Sequence, residues 1–232
     1  MDDPSLKERL LDAALPHVAF DGWSPKTFRL AAEDAGIDRA VAEAACPRGA
    51  VDLALAYHDR GDAAMIDRLK TAAFADLRFR DKVAEALWIR LEVVNDKEAL
   101  RRAATLFALP HHAGDSAKAV WQTADAVWNA LGDTSEDHNW YTKRATLSGV
   151  WAATVLYWLG DDSPGHQNTR AFIDRRIEEV MQIEKVKSRV RKTPIVGPLA
   201  RGAENALSRI RAPASAPRPD LPGSWRPPVD GS

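Results

Sequence analysis

Cysteine is almost absent from these 232 residues: Cys46 stands alone, which excludes a disulfide framework and suits a reducing compartment. Excess charge of either sign is also absent. Lys and Arg number 32 against 33 Asp and Glu, so a globally basic nucleic-acid binder is excluded, though a local basic patch is not. No apolar run reaches the roughly 20 residues that a membrane-spanning helix needs. The start, Met1-Asp2-Asp3-Pro4, is acidic and has no apolar core, so neither a secretory signal nor an Arg-rich transit peptide is expected. Metal and catalytic signatures are missing too. The six histidines (His17, His58, His111, His112, His138, His166) never pair at helical ligand spacing. There is no Glu-x-x-His, Gly-x-Ser-x-Gly, P-loop or Gly-x-Gly-x-x-Gly. Cys46, on a short helix beside Pro47, is read as a small buried residue. No catalytic group, metal or cofactor is expected, and the chain is read as a non-enzyme.

What is present is helical periodicity, with no sustained period-two alternation, so the fold class is all-α. Ser5 and Glu8 read as a capping box for a helix carrying Leu6, Leu10, Ala13, Ala14 and Val18, which Gly22 ends. Ser24-Pro25 opens a second helix and Gly36 breaks it; Asp38 caps a third through Ala45. Pro47 and Gly49 make a turn before a helix from about Val51, with helical spacing again from Asp62 to Leu77. The next helix has Val83, Leu87, Leu91 and Val94 on one face, with Arg90 among the charges elsewhere. Asn95-Asp96 interrupts, Glu98 to Leu109 is helical, and Pro110 to Gly114 reads as a loop. Asp115 or Ser116 then caps an amphipathic helix bearing Val120, Trp121, Ala124, Val127, Trp128 and Leu131, stopped by Gly132. Thr169 starts a later helix with Phe172, Ile173, Ile177, Val180 and Met181 inward.

The stretch from Leu10 to Asp38, LLDAALPHVAFDGWSPKTFRLAAEDAGID, resembles the N-terminal helix-turn-helix domain of TetR-type regulators. Residues 1–60 nevertheless hold seven bases and eleven acids, a poor start for a reader of phosphate backbones. The would-be recognition helix, Arg39 to Ala45, offers one arginine and lacks the usual Tyr-x-x-Phe ending. DNA binding is not expected; a ligand-responsive regulator of this fold is the alternative reading.

The stretch Asp137 to Asp162 changes character midway. Its front end, His138 to Arg144, is polar and aromatic and reads as a structured turn. Its back end, Ala145 to Gly160, is sixteen uncharged residues, a buried helix that either fills a core or lines a pocket. Eight tryptophans, five of them (Trp88, Trp121, Trp128, Trp151, Trp158) on predicted helices of the second half, are individually core residues and collectively compatible with an apolar cavity. Further on, Lys185 to Lys192 carries five positive charges, and Val196, Leu199, Leu207 and Ile210 share one helical face. That segment either lies in a membrane interface or packs on the bundle. Residues 212–232, with six prolines, read as a disordered tail. The domain reading is 1–50, a helix-turn-helix-like unit; 51–192, a helical lipid-binding and dimerisation domain; and 193–211, the membrane-associating segment.

Four blocks together resemble one family. They are ALPHVAFDGW from Ala14, FALPHHAGDS from Phe107, AVWQTADAVWNALGDTSEDHNWYTKRATLSGVW from Ala119 and DDSPGHQNTRAFIDRRIEEV from Asp161. The family is that of the coenzyme Q (ubiquinone) biosynthesis accessory proteins, lipid-binding and TetR-like in fold. The resemblance implies a homodimer with a hydrophobic cavity for an isoprenoid quinone intermediate, here lined by Trp121, Trp128, Val150, Trp151, Val155 and Trp158 as candidates. It implies a C-terminal helix on the membrane and a patch that docks a ring-modifying hydroxylase. Asn139, Trp140, Tyr141, Lys143 and Arg144 match the patch, Lys143 standing where many relatives have arginine. The expected location is cytoplasmic, peripheral at the inner face of the cytoplasmic membrane.

Overall fold

Helix boundaries in the first half follow local capping chemistry. The Ser24 hydroxyl accepts from the Thr27 amide at 3.2 Å, Asp38 from Ala40 at 2.8 Å, and Asp96 from Ala99 at 2.9 Å. Gly22 and Gly36 take φ of 64° and 62°, left-handed backbone that few other residues adopt cheaply. The computed structural model describes residues 5–71, 74, 76–135 and 138–191, with backbone alone for His138 and for 183–191. All nine α-helices of this region, joined by turns and two single-turn 3₁₀ segments, make the protein all-α. They are α1 (Leu6–Asp21), α2 (Pro25–Asp34), α3 (Arg39–Ala45), α4 (Ala50–Thr71), α5 (Phe79–Glu92), α6 (Lys97–Phe107), α7 (Ala113–Ala130), α8 (His138–Leu159) and α9 (Gln167–Arg191). Val196, Leu199, Leu207 and Ile210, and with them the proposed membrane segment and tail, lie outside the described residues.

Two apolar clusters form the core. The first joins α1, α2, α3 and the start of α4 around Leu10, Leu11, Val18, Phe28 and Leu53, and buries Cys46. It is closed by Ala99 and Ala103 of α6, and the Trp23 indole donates to the Ala99 carbonyl at 3.0 Å. The second packs α4, α5, α7, α8 and α9 around Met65, Leu87, Val127, Leu147, Trp151 and Ile173. Trp151 is only 2% exposed; full burial of a large apolar side chain contributes roughly 2–3 kcal/mol.

Several expectations are corrected. Ser5 makes no side-chain cap; Glu8 turns away to pair with Arg60 at 2.5 Å. The loop expected at Pro110 to Gly114 is a 3₁₀ turn that runs directly into α7, so neither Asp115 nor Ser116 caps it. Asp115 instead binds Arg48 at 2.9 Å, tying α7 to the turn before α4. Arg90 is not on a solvated face. It is 2% exposed, bonded to Asp62 at 2.6 Å and to the His58 carbonyl at 3.0 Å. Thr123 of α7 donates to the same Asp62 at 2.9 Å, so one sealed polar cluster pins α4, α5 and α7. The front end of the 137–162 stretch is not a turn either: from His138 onward it is the first two turns of α8.

Candidate functional site

Because α8 is continuous from His138, its first turns acquire two faces with different neighbours. Asn139, Thr142, Lys143, Thr146, Leu147 and Val150 recur at helical i, i+3, i+4 spacing and look into a cavity of about 280 Å³. Phe79, Arg80 and Val83 of α5, Trp128 of α7, and Ile177, Val180 and Met181 of α9 complete its wall. The lining is mainly apolar, as small-molecule sites usually are, and the volume is near the lower end of the roughly 300–1,000 Å³ typical of them. Among the described residues, the two cations at the cavity are already neutralised. Lys143 binds Asp133 at 2.7 Å and the Ser135 hydroxyl at 2.6 Å, and Arg80 pairs with Asp81 and Glu178.

The other face of the same turns packs toward α7. The rings of Trp140 and Tyr141 meet edge to face at 4.7 Å, and Trp121 lies 5.9 Å from Trp140 and 6.4 Å from Tyr141. Tyr141 is 36% exposed. Arg144 is not a surface residue: it is 1% exposed, held by Asp125 at 2.5 Å, Asp133 at 3.1 Å and the Asn129 side-chain oxygen at 3.0 Å. A buried guanidinium needs such a set of acceptors, because an unpaired one is too costly to desolvate. This corrects the reading of Arg144 as a charge presented to a partner; it stands behind the aromatic pair. Burial by itself raises the Asp133 carboxyl, but bonds from Lys143, Ser135 and Arg144 outweigh it and hold it at about 2.

The residues singled out from the sequence therefore separate. Trp128 and Val150 line the cavity, as do Asn139 and Lys143 from the proposed docking group. Trp121 belongs to the aromatic cluster with Trp140 and Tyr141. Trp151 is enclosed in the core with the Arg90 guanidinium 5.4 Å from its ring, and Val155 packs half-buried against that core. Trp158 contacts Lys97 at 4.8 Å and His166 at 5.5 Å, at the far end of α8. None of these four lines the cavity. Its threonines and its α5 wall were not anticipated: aromatic residues draw attention, whereas a cavity exists where side chains are too small to fill it. The i, i+3, i+4 series from Asn139 to Val150 was the signal available. Among the described residues, no three His, Cys, Asp or Glu side chains converge as a metal site. Nor is any described helix long and apolar enough to cross a membrane.

The COQ9 family model matches residues 113–184, which is α7, α8 and most of α9. The ubiquinone biosynthesis protein COQ9, mitochondrial, of Drosophila melanogaster is 31% identical over 189 residues, covering 79% of this chain and 58% of the relative. Its counterpart in Bos taurus is 28% identical over 199 residues, covering 82% and 62%. The chain thus spans about three fifths of the length of these relatives. In three dimensions, a TetR transcriptional regulator from Nitrosomonas europaea ATCC 19718 superposes with a TM-score of 0.62 at 20% identity, covering 76% of this chain and 98% of that one. Sequence and structure thus agree with the resemblance drawn from the four blocks: the chain is similar to the COQ9 proteins and has a TetR-like fold.

Proposed function

We propose that this protein serves ubiquinone biosynthesis without catalysing a step, holding an isoprenoid quinone intermediate and presenting it to a ring-modifying hydroxylase. The observation that carries this reading is the pairing of faces on α8. An apolar cavity opens on one side of its first two turns, and an aromatic group that includes the half-exposed Tyr141 stands on the other. A ligand in the first is held within one helix diameter of a partner on the second. A cavity of about 280 Å³ holds part of such a ligand, its ring or the first stretch of its tail. Each five-carbon unit leaving water gains roughly 3–4 kcal/mol, but leaving a bilayer it gains almost nothing. Exchange with a membrane is then near balance, which favours presentation over storage. In this reading the protein is a peripheral membrane homodimer: residues 1–50 form a retained helix-turn-helix-like unit, 51–192 the lipid-binding and dimerisation body, and 193–211 the membrane contact.

The regulator reading draws support from the TetR-like fold alone. Against it, the single arginine of α3, Arg39, is bound to Glu43 at 2.7 Å, and residues 1–60 are net acidic. Native mass spectrometry of gently purified protein tests the leading reading: co-purified isoprenoid quinone is expected, and a uniformly empty protein contradicts it. Deleting residues 194–232 is expected to abolish liposome flotation while helicity persists; unchanged flotation removes the membrane role from that segment.

A further inference from the structure

Among the described residues, two buried side-chain polar atoms lack a hydrogen-bond partner, Trp128 Nε1 and Arg176 Nε. Arg176 keeps other donors and pairs with Glu179. Trp128 has only its one N–H, which can donate and never accept. Other tryptophans of this protein satisfy theirs: Trp23 donates to the Ala99 carbonyl at 3.0 Å and Trp88 to Glu92 at 2.7 Å. A buried indole N–H normally finds an acceptor, so an orphan calls for a reason. The reason lies in its position, because Trp128, 9% exposed, is a wall of the apolar cavity.

We propose that the Trp128 indole N–H is the donor by which this cavity selects neutral apolar ligands carrying an acceptor oxygen, a carbonyl, ether or phenol, over plain hydrocarbon. The proposal rests on the cavity reading above and adds the rule of selection. The ligand is neutral because Lys143 and Arg80, the cations at the cavity among the described residues, are already matched by Asp133, Asp81 and Glu178. The indole is covered by Phe79, stacked at 5.6 Å and 26°. Phe79 is 48% exposed at the first residue of α5, so it swings aside at small cost in buried area. The Nε1 atom is itself buried, so in this proposal ligand entry shifts Phe79 and turns the indole before an oxygen meets the N–H. Satisfying a donor that the protein otherwise leaves unpaired contributes about ten-fold in affinity.

The test is an NMR titration of protein labelled at the indole nitrogens, using a prenylated methoxybenzoquinone and prenylbenzene as probes. The quinone is expected to move one indole resonance downfield, the hydrocarbon to leave it in place. Trp128→Phe should delete that resonance and shrink the preference for the quinone over the hydrocarbon about ten-fold, whatever the lost ring contact costs both probes. If that variant fails to fold, Phe79→Ala, which uncovers the indole without altering it, identifies the same resonance by shifting it in the free protein. A moved resonance belonging to another tryptophan, or equal affinity for both probes, overturns the donor role while the cavity reading stands. Binding of neither probe overturns the cavity reading itself.

Discussion

The guanidinium of Arg144 lies 4.0 Å from the centre of the Trp140 indole, while Asp125 and Asp133 hold its nitrogens from behind. The arginine is therefore the support on which the aromatic pair rests. Arg144→Leu takes the buried guanidinium from two carboxylates and leaves Asp133, with a side chain only 4% exposed, to Lys143 and Ser135. Removing one member of a buried pair typically costs about 3–5 kcal/mol, and urea unfolding should show a loss of that order. Tyr141→Ala, at a 36% exposed position, should change stability by less than about 1 kcal/mol. If the patch docks the hydroxylase, that second variant loses co-purification with it while remaining folded. Retained co-purification in both Tyr141→Ala and Trp140→Ala would remove the patch from the interface.

Acid should expose the same cluster. Asp133 titrates at about 2 in the folded chain against about 3.9 in an unfolded one. Its contribution to stability is therefore fully present above about pH 4 and is lost as pH falls toward 2. Asp161, whose carboxylate accepts from Ser163 and Thr169 at the α8–α9 turn, is also lowered and acts in the same direction. Asp133→Asn is expected to lower stability at neutral pH and to flatten its dependence between pH 4 and 2, read from urea midpoints across that window. An unchanged slope would mean that Asp133 is not held as described.

Most helix ends were legible because they are decided within four residues. Ser24-Pro25, Asp38, Asp96 and the glycines at 22, 36 and 132 each act on their own backbone. The misreadings share a different cause. Glu8, Asp115, Arg90 and Arg144 have their partners at Arg60, Arg48, Asp62 and Asp125, and those pairings are tertiary. A local rule assigns such residues to caps or solvated faces. A hint was available: Arg90 falls seven residues after Val83 and three after Leu87, on the apolar stripe itself. The aromatic front of α8 was read as a turn because its polar residues look solvated, yet Asn139 and Lys143 face the cavity and Arg144 is internal.

Gly61 offers a test in which two effects oppose. Replacing an interior helix glycine with alanine ordinarily stabilises by about 1 kcal/mol. Here an added Cβ would stand 2.5 Å from the Arg90 guanidinium, which Asp62 and the Trp151 ring hold in place. Gly61→Ala should therefore destabilise, by about 2 kcal/mol or more, as the buried pair with Asp62 is forced apart. A rise in thermal midpoint would show that Arg90 has room to move.

The cavity can be closed without weakening the fold. Thr146 sits on its wall, half-buried, between Lys143 and Val150 along α8. Its side chain is small, so Thr146→Phe directs a ring into space that is now empty rather than into packed atoms. Filling a cavity in this way is among the substitutions that commonly add about 0.5–2 kcal/mol, and the thermal midpoint should hold or rise. The quinone content of the purified protein, measured by extraction and mass spectrometry, should fall at least ten-fold, an effect of about 1.4 kcal/mol or more. Because stability does not fall, the loss cannot be assigned to unfolding, which is the ambiguity that a variant at Trp151 or Leu147 would carry. An undiminished quinone load in a folded Thr146→Phe protein would place the ligand elsewhere, and the α8 cavity would then be a packing defect with no role in carriage.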